Sequence, residues 1–462
     1  MTWNAGAWTG RADPWLAGAS VGMLGSGLFL VIAALFTNDI VWAGIGGAMA
    51  SVSLLLLFST GWVSALPVLA VSLALPPAYA SESIRLGPAL LVTGLVIAAW
   101  ILARGIEHRS ISFGGLPMSW LALFLMALAM SSGFATDRGS AVRETVTLVL
   151  LFAFLIVATD TLSRRPGSVT TVARVLGWVA AAAGGFAVLE SVGVLPGEFA
   201  VAGTPYFRAT GGFAWPNELA MYLAISLPFT VMLVREASGS LGRVVAMLAL
   251  GLAMAGLVST FSRGSWLATV VAPGVLLFVS ERGFVFRVWL VAAAVVLVLD
   301  LATGGAVSGR IAETLTDPLV GQRFVLTQAG VLMFLAHPLV GVGPGGFEAG
   351  LDEFGLLVPG LWDFVGSAHN AYVHIAAETG ILGVVALVGL LFSTLWTLFR
   401  TVRDWLDASG EEQGRLLRVT VFWSFAVACT IAFAEWTFAQ GIGQLIMLVA
   451  AMGFALARER AA

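Results

Sequence analysis

Apolar residues in this chain come in long continuous runs, neither alternating as in a half-buried strand nor confined to one helical stripe. A run of about 20 apolar residues, coiled as a helix, matches the thickness of a bilayer. Lipid offers backbone groups no hydrogen-bond partner, so such runs must be helices or a closed barrel, and continuity favours helices. The pattern predicts an all-α polytopic integral membrane protein with about fourteen spans. They fall near 16–36, 40–59, 62–80, 87–103, 116–134, 144–161, 171–194, 217–234, 244–261, 265–280, 286–302, 380–399, 418–435 and 440–457. The first is read as a retained span, because no small-residue cleavage site follows it. Gly18 and Gly22 place a GxxxG within it, a weak packing motif.

Two connections interrupt this rhythm: 195–216 and 303–379. The chain therefore divides into spans one to eleven (1–302, including the segment 195–216), a long polar-side segment (303–379) and spans twelve to fourteen (380–462). Connections this long are commonly functional. The second holds an amphipathic stretch from Gln322 to Ala336, the turn-rich HPLVGVGPGGF from His337 to Phe347, and a helical run beginning near His369. It is expected to form a folded lid or a partly re-entrant helical cap.

Charge gives the sidedness. All 23 basic residues are arginine. With the N-terminus inside, 16 of them fall on inner loops, from Arg11 to Arg460, which fits the positive-inside bias. The other seven, Arg85, Arg138, Arg143, Arg208, Arg263, Arg310 and Arg323, fall outside. Both termini are then cytoplasmic, and 195–216 and 303–379 lie on the outer face. Hydrophobic residues are 59% of the chain and charged residues 11%, which excludes a soluble globular protein. Cys429, the single cysteine, reads as packing. No phosphate-binding loop, zinc-type spacing, dinucleotide fingerprint or DxD pair is present, so no nucleotide, metal or other cofactor is expected.

Arg85, Arg138, Arg143 and Arg310 read as solvated loop residues. Arg208 and Arg263 stand in more informative surroundings. Arg208 lies in YFRATGGFAWPNELA, whose glycines and Pro216 lead into a span starting near Asn217. Arg263 lies in TFSRGSWLA, a hairpin of two or three residues between spans nine and ten, at the start of a helix. Helix N-termini favour anions, and guanidinium binds phosphate bidentately. The densest polar cluster is SAHNAYVHIAAETGILG, from Ser367 to Gly383. Ser367 is expected to cap a helix starting near His369, whose dipole would keep that ring neutral, as a general base must be. Asn370, His374 and Glu378 recur every four residues and share one face. His374 and Glu378 read as interface residues as readily as functional ones.

With these segments the chain resembles the O-antigen ligase and O-antigen polymerase (Wzy/WaaL-like) membrane glycosyltransferases. The matching pieces are RATGGFAWPNELA, FSRGSW, QRFVLTQAGVLMFLAHPLVGVGPGGF and HNAYVHIAAETGILG, in that order. The resemblance implies a metal-independent transferase of the GT-C type in the bacterial inner membrane, active on the periplasmic face. Its donor would be a glycan on undecaprenyl pyrophosphate, and its acceptor a second glycan or lipid A–core. It also implies that Arg208 and Arg263, with Arg323, bind the pyrophosphate and that His369 is catalytic. Asn217, Asn370, Tyr372, His374 and Glu378 are candidate supporting residues. Tyr206, Trp215, Trp362 and Tyr372 are candidate sugar-stacking surfaces. A chain-length regulator is a candidate further partner, and nucleic acid is not. Fourteen spans tilt the choice toward polymerase over ligase, although the shared motifs do not separate the two. A lipid-linked glycan flippase or other transporter is the alternative of another class, disfavoured because ionisable residues avoid the span interiors. A SEDS-type peptidoglycan polymerase would share the lipid donor but leaves the HN segment unexplained.

Overall fold

The computed structural model describes residues 116–459, apart from 279–281, 313–317, 354–365, 408–411, 439–440 and isolated positions before 215, and a few positions between 93 and 101. All but those few positions of the first four expected spans lie outside the described residues, as do Gly18, Gly22 and Trp362. The described elements run α1 (Met118–Phe134), α2 (Arg138–Ser163), α3 (Ser168–Ser191), β1 (Phe199–Ala200), β2 (Phe207–Arg208), α4 (Pro216–Glu236) and α5 (Gly239–Ser259). They continue with α6 (Arg263–Val271), α7 (Arg282–Ala302), α8 (Ala306–Ala312), α9 (Pro318–Ala336), α10 (Phe347–Glu353), α11 (Ala371–Asp407), α12 (Glu412–Ile431) and α13 (Ile442–Arg458).

Among the described residues six helices are long and apolar enough to cross a membrane, and a seventh if α7 and α8, bent by 106°, form one span. The expected spans at 116–134 and 440–457 coincide with the 17-residue helices α1 and α13. The expected span at 265–280 is α6 continued by a 3-10 turn, Ala272–Phe278, where Pro273 withholds the N–H that an α-helix needs. The expected span at 380–399 starts earlier, at Ala371, and is broken at Gly380 (φ 67°, ψ −163°), a conformation open only to glycine.

Burial explains the layout. α4 is apolar all round and sits at the centre, with Leu219 to Ile225 nearly inaccessible. α13 is enclosed in the same way. Pro228 withholds an N–H within α4, and Ser424 of α12 donates its hydroxyl to Ile225 O there, at 2.6 Å. α3 and α5 cross where Gly184 faces Gly256: a Cβ on Gly256 would meet the Gly184 backbone, so only glycine permits this approach. α5 and α7 instead expose Leu241, Leu248, Phe286, Leu297 and Leu301, apolar side chains suited to lipid tails.

One end of the bundle is tied by ion pairs. Arg174 bonds Glu236 at 2.8 Å and Arg164 bonds Asp160 at 2.8 Å, while Arg418 lies 3.3 Å from Glu459 and 3.9 Å above the Trp405 ring. These arginines belong to the inner-loop set. The ends of α3, α5 and α12 and the starts of α4, α6 and α11 gather at the opposite end, where the segment 195–216 and the long segment also lie.

The described residues of the long segment are largely helical. α9 packs along α11, and Leu326, Ala329, Met333, Phe347, Leu351, Ala368 and Ala377 form a small core of their own. The glycine-rich strap then threads onto the break in α11: Val342 N bonds Ala377 O (2.9 Å), Gly343 N bonds Glu378 O (3.1 Å) and Ile381 N bonds Pro338 O (2.8 Å). Gly341 (φ 70°) lies so close to the Glu378 backbone that a Cβ would overlap it.

Candidate functional site

The turn that follows the first arginine is held by a buried acid. Glu190 lies in the last turn of α3, where the helix dipole disfavours a negative charge. The turn after β2 compensates. Thr210 N donates to both carboxylate oxygens (3.0 Å each), and Thr210 Oγ1 (2.9 Å) and Gly211 N (2.8 Å) add two more hydrogen bonds. Gly211 (φ 55°) takes the left-handed conformation, and a Cβ there would press on Leu219. Pro216 then opens α4 with its φ preset for the helix. This anchoring aims Arg208 across two neighbours. Its Nε donates to Thr260 O and its Nη2 to Asn217 Oδ1, each at 3.0 Å. Ala209 N donates to Ser259 O at 2.9 Å, so the Arg208 strand is stitched to the end of α5.

The second arginine follows from the same stitch. Between α5 and α6 the chain reverses within Thr260, Phe261 and Ser262. Phe261 has φ 52°, a strained conformation for a bulky side chain, and is held by burial at 3% exposure against Trp266. Trp266 Nε1 in turn donates to Leu257 O at 3.0 Å. Arg263 is the first residue of α6, directly after this hairpin. Burial, and then the charges of Arg310, Arg323 and Arg263 outweighing the opposing Glu435, lower the Arg208 guanidinium to about 10. Arg208 therefore stays charged at neutral pH within a cluster of cations, an arrangement that a polyanion would relieve.

His369 stands before α11, not in its first turn. The helix cap is Asn370, whose Oδ1 accepts from Tyr372 N and Val373 N at 3.1 Å each, in place of the expected Ser367. His369 has φ 48°, and its Nδ1 lies 3.1 Å from Glu435 Oε2. Arg323 Nη2 lies 2.7 Å from the other oxygen, Oε1. Burial pushes the Glu435 carboxyl up, but the His369 hydrogen bond and Arg323 more than offset this and hold it below the usual carboxylate range. The result is a chain of histidine, carboxylate and arginine with His369 Nε2 left facing away from the acid. Asn370 Nδ2 donates to Phe433 O (3.1 Å) and Ala371 N to Ala432 O (2.8 Å), tying this corner to the end of α12.

Of the sequence candidates, His369 and Arg323 thus meet on Glu435, Arg208 lies within electrostatic reach of Arg263, Arg323 and Glu435, Asn217 bonds Arg208, and Asn370 caps α11. Tyr372 gives its hydroxyl to Cys429 O (3.1 Å) and lies against Phe433, so it braces α11 on α12. His374 and Glu378 are buried and meet at 3.4 Å. Trp215 lies tilted against Phe199 with ring centroids 5.6 Å apart. Three residues of the site were missed as site residues. Glu190 and Glu435 are not among the sequence candidates, and Arg310, which reads there as solvated, is half-buried and close enough to weigh on Arg208. Among the described residues no three His, Cys, Asp or Glu side chains gather in a way that could hold a metal ion.

Residues 246–388 match the family model described as O-antigen ligase (Wzy_C), the family the sequence resembles. The match takes in the Arg263 hairpin, the long segment and the start of α11. It supports an O-antigen ligase- or polymerase-type function and, with the apolar helices, an integral membrane protein. No curated protein matches the chain.

Proposed function

We propose that this chain transfers a glycan from an undecaprenyl-pyrophosphate donor to a sugar hydroxyl on the periplasmic face of the inner membrane, as a polymerase of O-antigen or exopolysaccharide repeats. The observation that carries this reading is the joining of two elements. The Arg208 turn and the Arg263 hairpin are hydrogen-bonded to each other, and Arg208 lies within electrostatic reach of Arg263, Arg323 and Glu435, the acid that pairs with His369.

Pyrophosphate is already a good leaving group and chiefly needs its developing charge balanced. Arg208 and Arg263 take the two phosphates, with Arg323 adding charge from the other side. The acceptor hydroxyl loses its proton to His369 Nε2 as its oxygen bonds to C1 of the donor glycan. The C1–O bond to phosphate breaks, and undecaprenyl pyrophosphate leaves with the electron pair. Glu435 steadies the imidazolium formed, since its carboxylate receives Nδ1–H. The α9–α10 cap covers the reacting sugars, and the lipid tail stays among the apolar helices. A chain-length regulator is a further partner compatible with this scheme.

A ligase that moves the glycan to lipid A–core is the second reading, favoured by the description of the matching family. Purified protein in liposomes, given lipid-linked repeats alone, builds a ladder of products if it is a polymerase. Transfer only after lipid A–core is added makes it a ligase. Lipid-linked glycan moved across the bilayer with no new glycosidic bond would refute both.

A further inference from the structure

The acid–base pair uses one histidine of the HNAYVH segment. The second, His374, is buried five residues on and takes no part in the transfer chemistry above. Its ring lies between Phe347 and Trp436, with centroids 5.0 and 4.3 Å away. Ala368 N donates to its Nδ1 at 3.3 Å, and its Nε2 faces Glu378 Oε1 at 3.4 Å. These contacts fix the tautomer: an Nδ1 that accepts a backbone N–H carries no proton, so Nε2 bears it and points it at the acid. Glu378 is itself held by Phe347 N at 3.2 Å and through its carbonyl by Ser131 Oγ at 2.6 Å.

Ala368 precedes His369, the residue in the left-handed conformation. A histidine there is strained and persists only where its surroundings over-determine it. Both polar groups of Ala368 are claimed: the N–H by His374, and the carbonyl by Thr327 Oγ1 of α9 at 3.1 Å. On the far side of His369 the Asn370 and Ala371 bonds to α12 complete the clamp.

We propose that His374 is a positioning residue whose Nδ1, with its tautomer set by Glu378, holds Ala368 and thereby keeps His369 in the backbone conformation that places its ring on Glu435. This rests on the reading of His369 as the base that accepts the acceptor's proton.

His374→Phe keeps the ring between Phe347 and Trp436 and removes the acceptor, whereas His374→Asn restores an acceptor near the Nδ1 position. In proteoliposomes fed lipid-linked repeats, His374→Phe is expected to lose roughly 10- to 100-fold in kcat, with the donor KM changed by less than about twofold. His374→Asn is expected to recover most of the loss. A phenylalanine variant as active as wild type, or an asparagine variant no better than phenylalanine, overturns the proposal. Should His374→Phe not fold, Thr327→Val releases the other side of Ala368 and is expected to lower kcat in the same selective way; unchanged kcat there counts against the clamp. A cryo-EM structure of either variant in nanodiscs reads the same point without substrate: His369 should leave positive φ and its ring should leave Glu435, and unaltered geometry overturns the proposal. Wild-type protein that transfers no glycan would instead refute the transferase reading, with the His374 question still decided by the structure.

Discussion

Replacing Glu435 with glutamine preserves size and removes charge at the centre of the site. The carboxylate divides its oxygens between His369 Nδ1 (3.1 Å) and Arg323 Nη2 (2.7 Å). As His369 takes the acceptor's proton, the new imidazolium forms against this carboxylate. With an amide in its place, a charge-assisted hydrogen bond worth about 1.5–3 kcal/mol becomes a neutral one. The His369 and Arg323 side chains are 24% and 35% exposed, so solvent screens part of the interaction. A transition-state loss of ~1–2 kcal/mol follows, or roughly 5- to 30-fold in kcat. The assay is transfer at saturating lipid-linked donor in proteoliposomes, with kcat and KM measured separately. The larger part of the effect should fall on kcat, because Glu435 faces the imidazolium formed in the transfer step, while Arg208 keeps its own bonds to Thr260 O and Asn217 Oδ1. Glu435→Gln with undiminished kcat, or with its whole effect in KM, would refute the assignment of Glu435 to the histidine.

The other parts of the site make separable predictions. Glu190→Ala strands the four hydrogen bonds that the Arg208 turn makes to this acid and should raise the donor KM by roughly 10-fold or more, with Glu190→Gln intermediate; isothermal titration with inorganic pyrophosphate checks it. Donor affinity should be level through neutral pH and fall as pH rises through about 10, because Arg208 has its basicity lowered to that value and loses its charge there; titration of Kd from pH 7 to 10.5 reads this, and a flat profile contradicts it. Gly380→Ala puts a Cβ into the Leu339 backbone at a conformation reserved for glycine, so the unfolding temperature in detergent should drop, with a cost of roughly 2–6 kcal/mol.

What the sequence revealed depends on chemistry that stands out locally. Apolar runs located every helix from α1 to α7, because the length of a span is a property of consecutive residues. Arg208, Arg263 and His369 were legible because polar groups are rare here and each sits in a short turn. The partners of those residues were not. Glu435 is 66 residues from His369 in sequence, and Glu190 is 20 from Thr210, with no periodicity linking either pair. Ser367 and Asn370 both suit a helix cap. The choice between them turned on the inverted backbone at His369, which the bonds of Ala368 and Ala371 impose from α9, α11 and α12. Arg310 was misread because the bend that carries it, Gly304 (φ 63°) and Gly305 (φ 89°) capped by Asp300 on Ser308 N, turns α8 back toward the site.

The proposed transfer needs one arginine-bound pyrophosphate and one histidine base at the gathered helix ends. Single-turnover transfer by His369→Ala, with lipid-linked donor already bound in proteoliposomes, tests it most directly. The donor should bind as in wild type while formation of the new glycosidic bond falls by about 100-fold or more. Bond formation at the wild-type rate would contradict it.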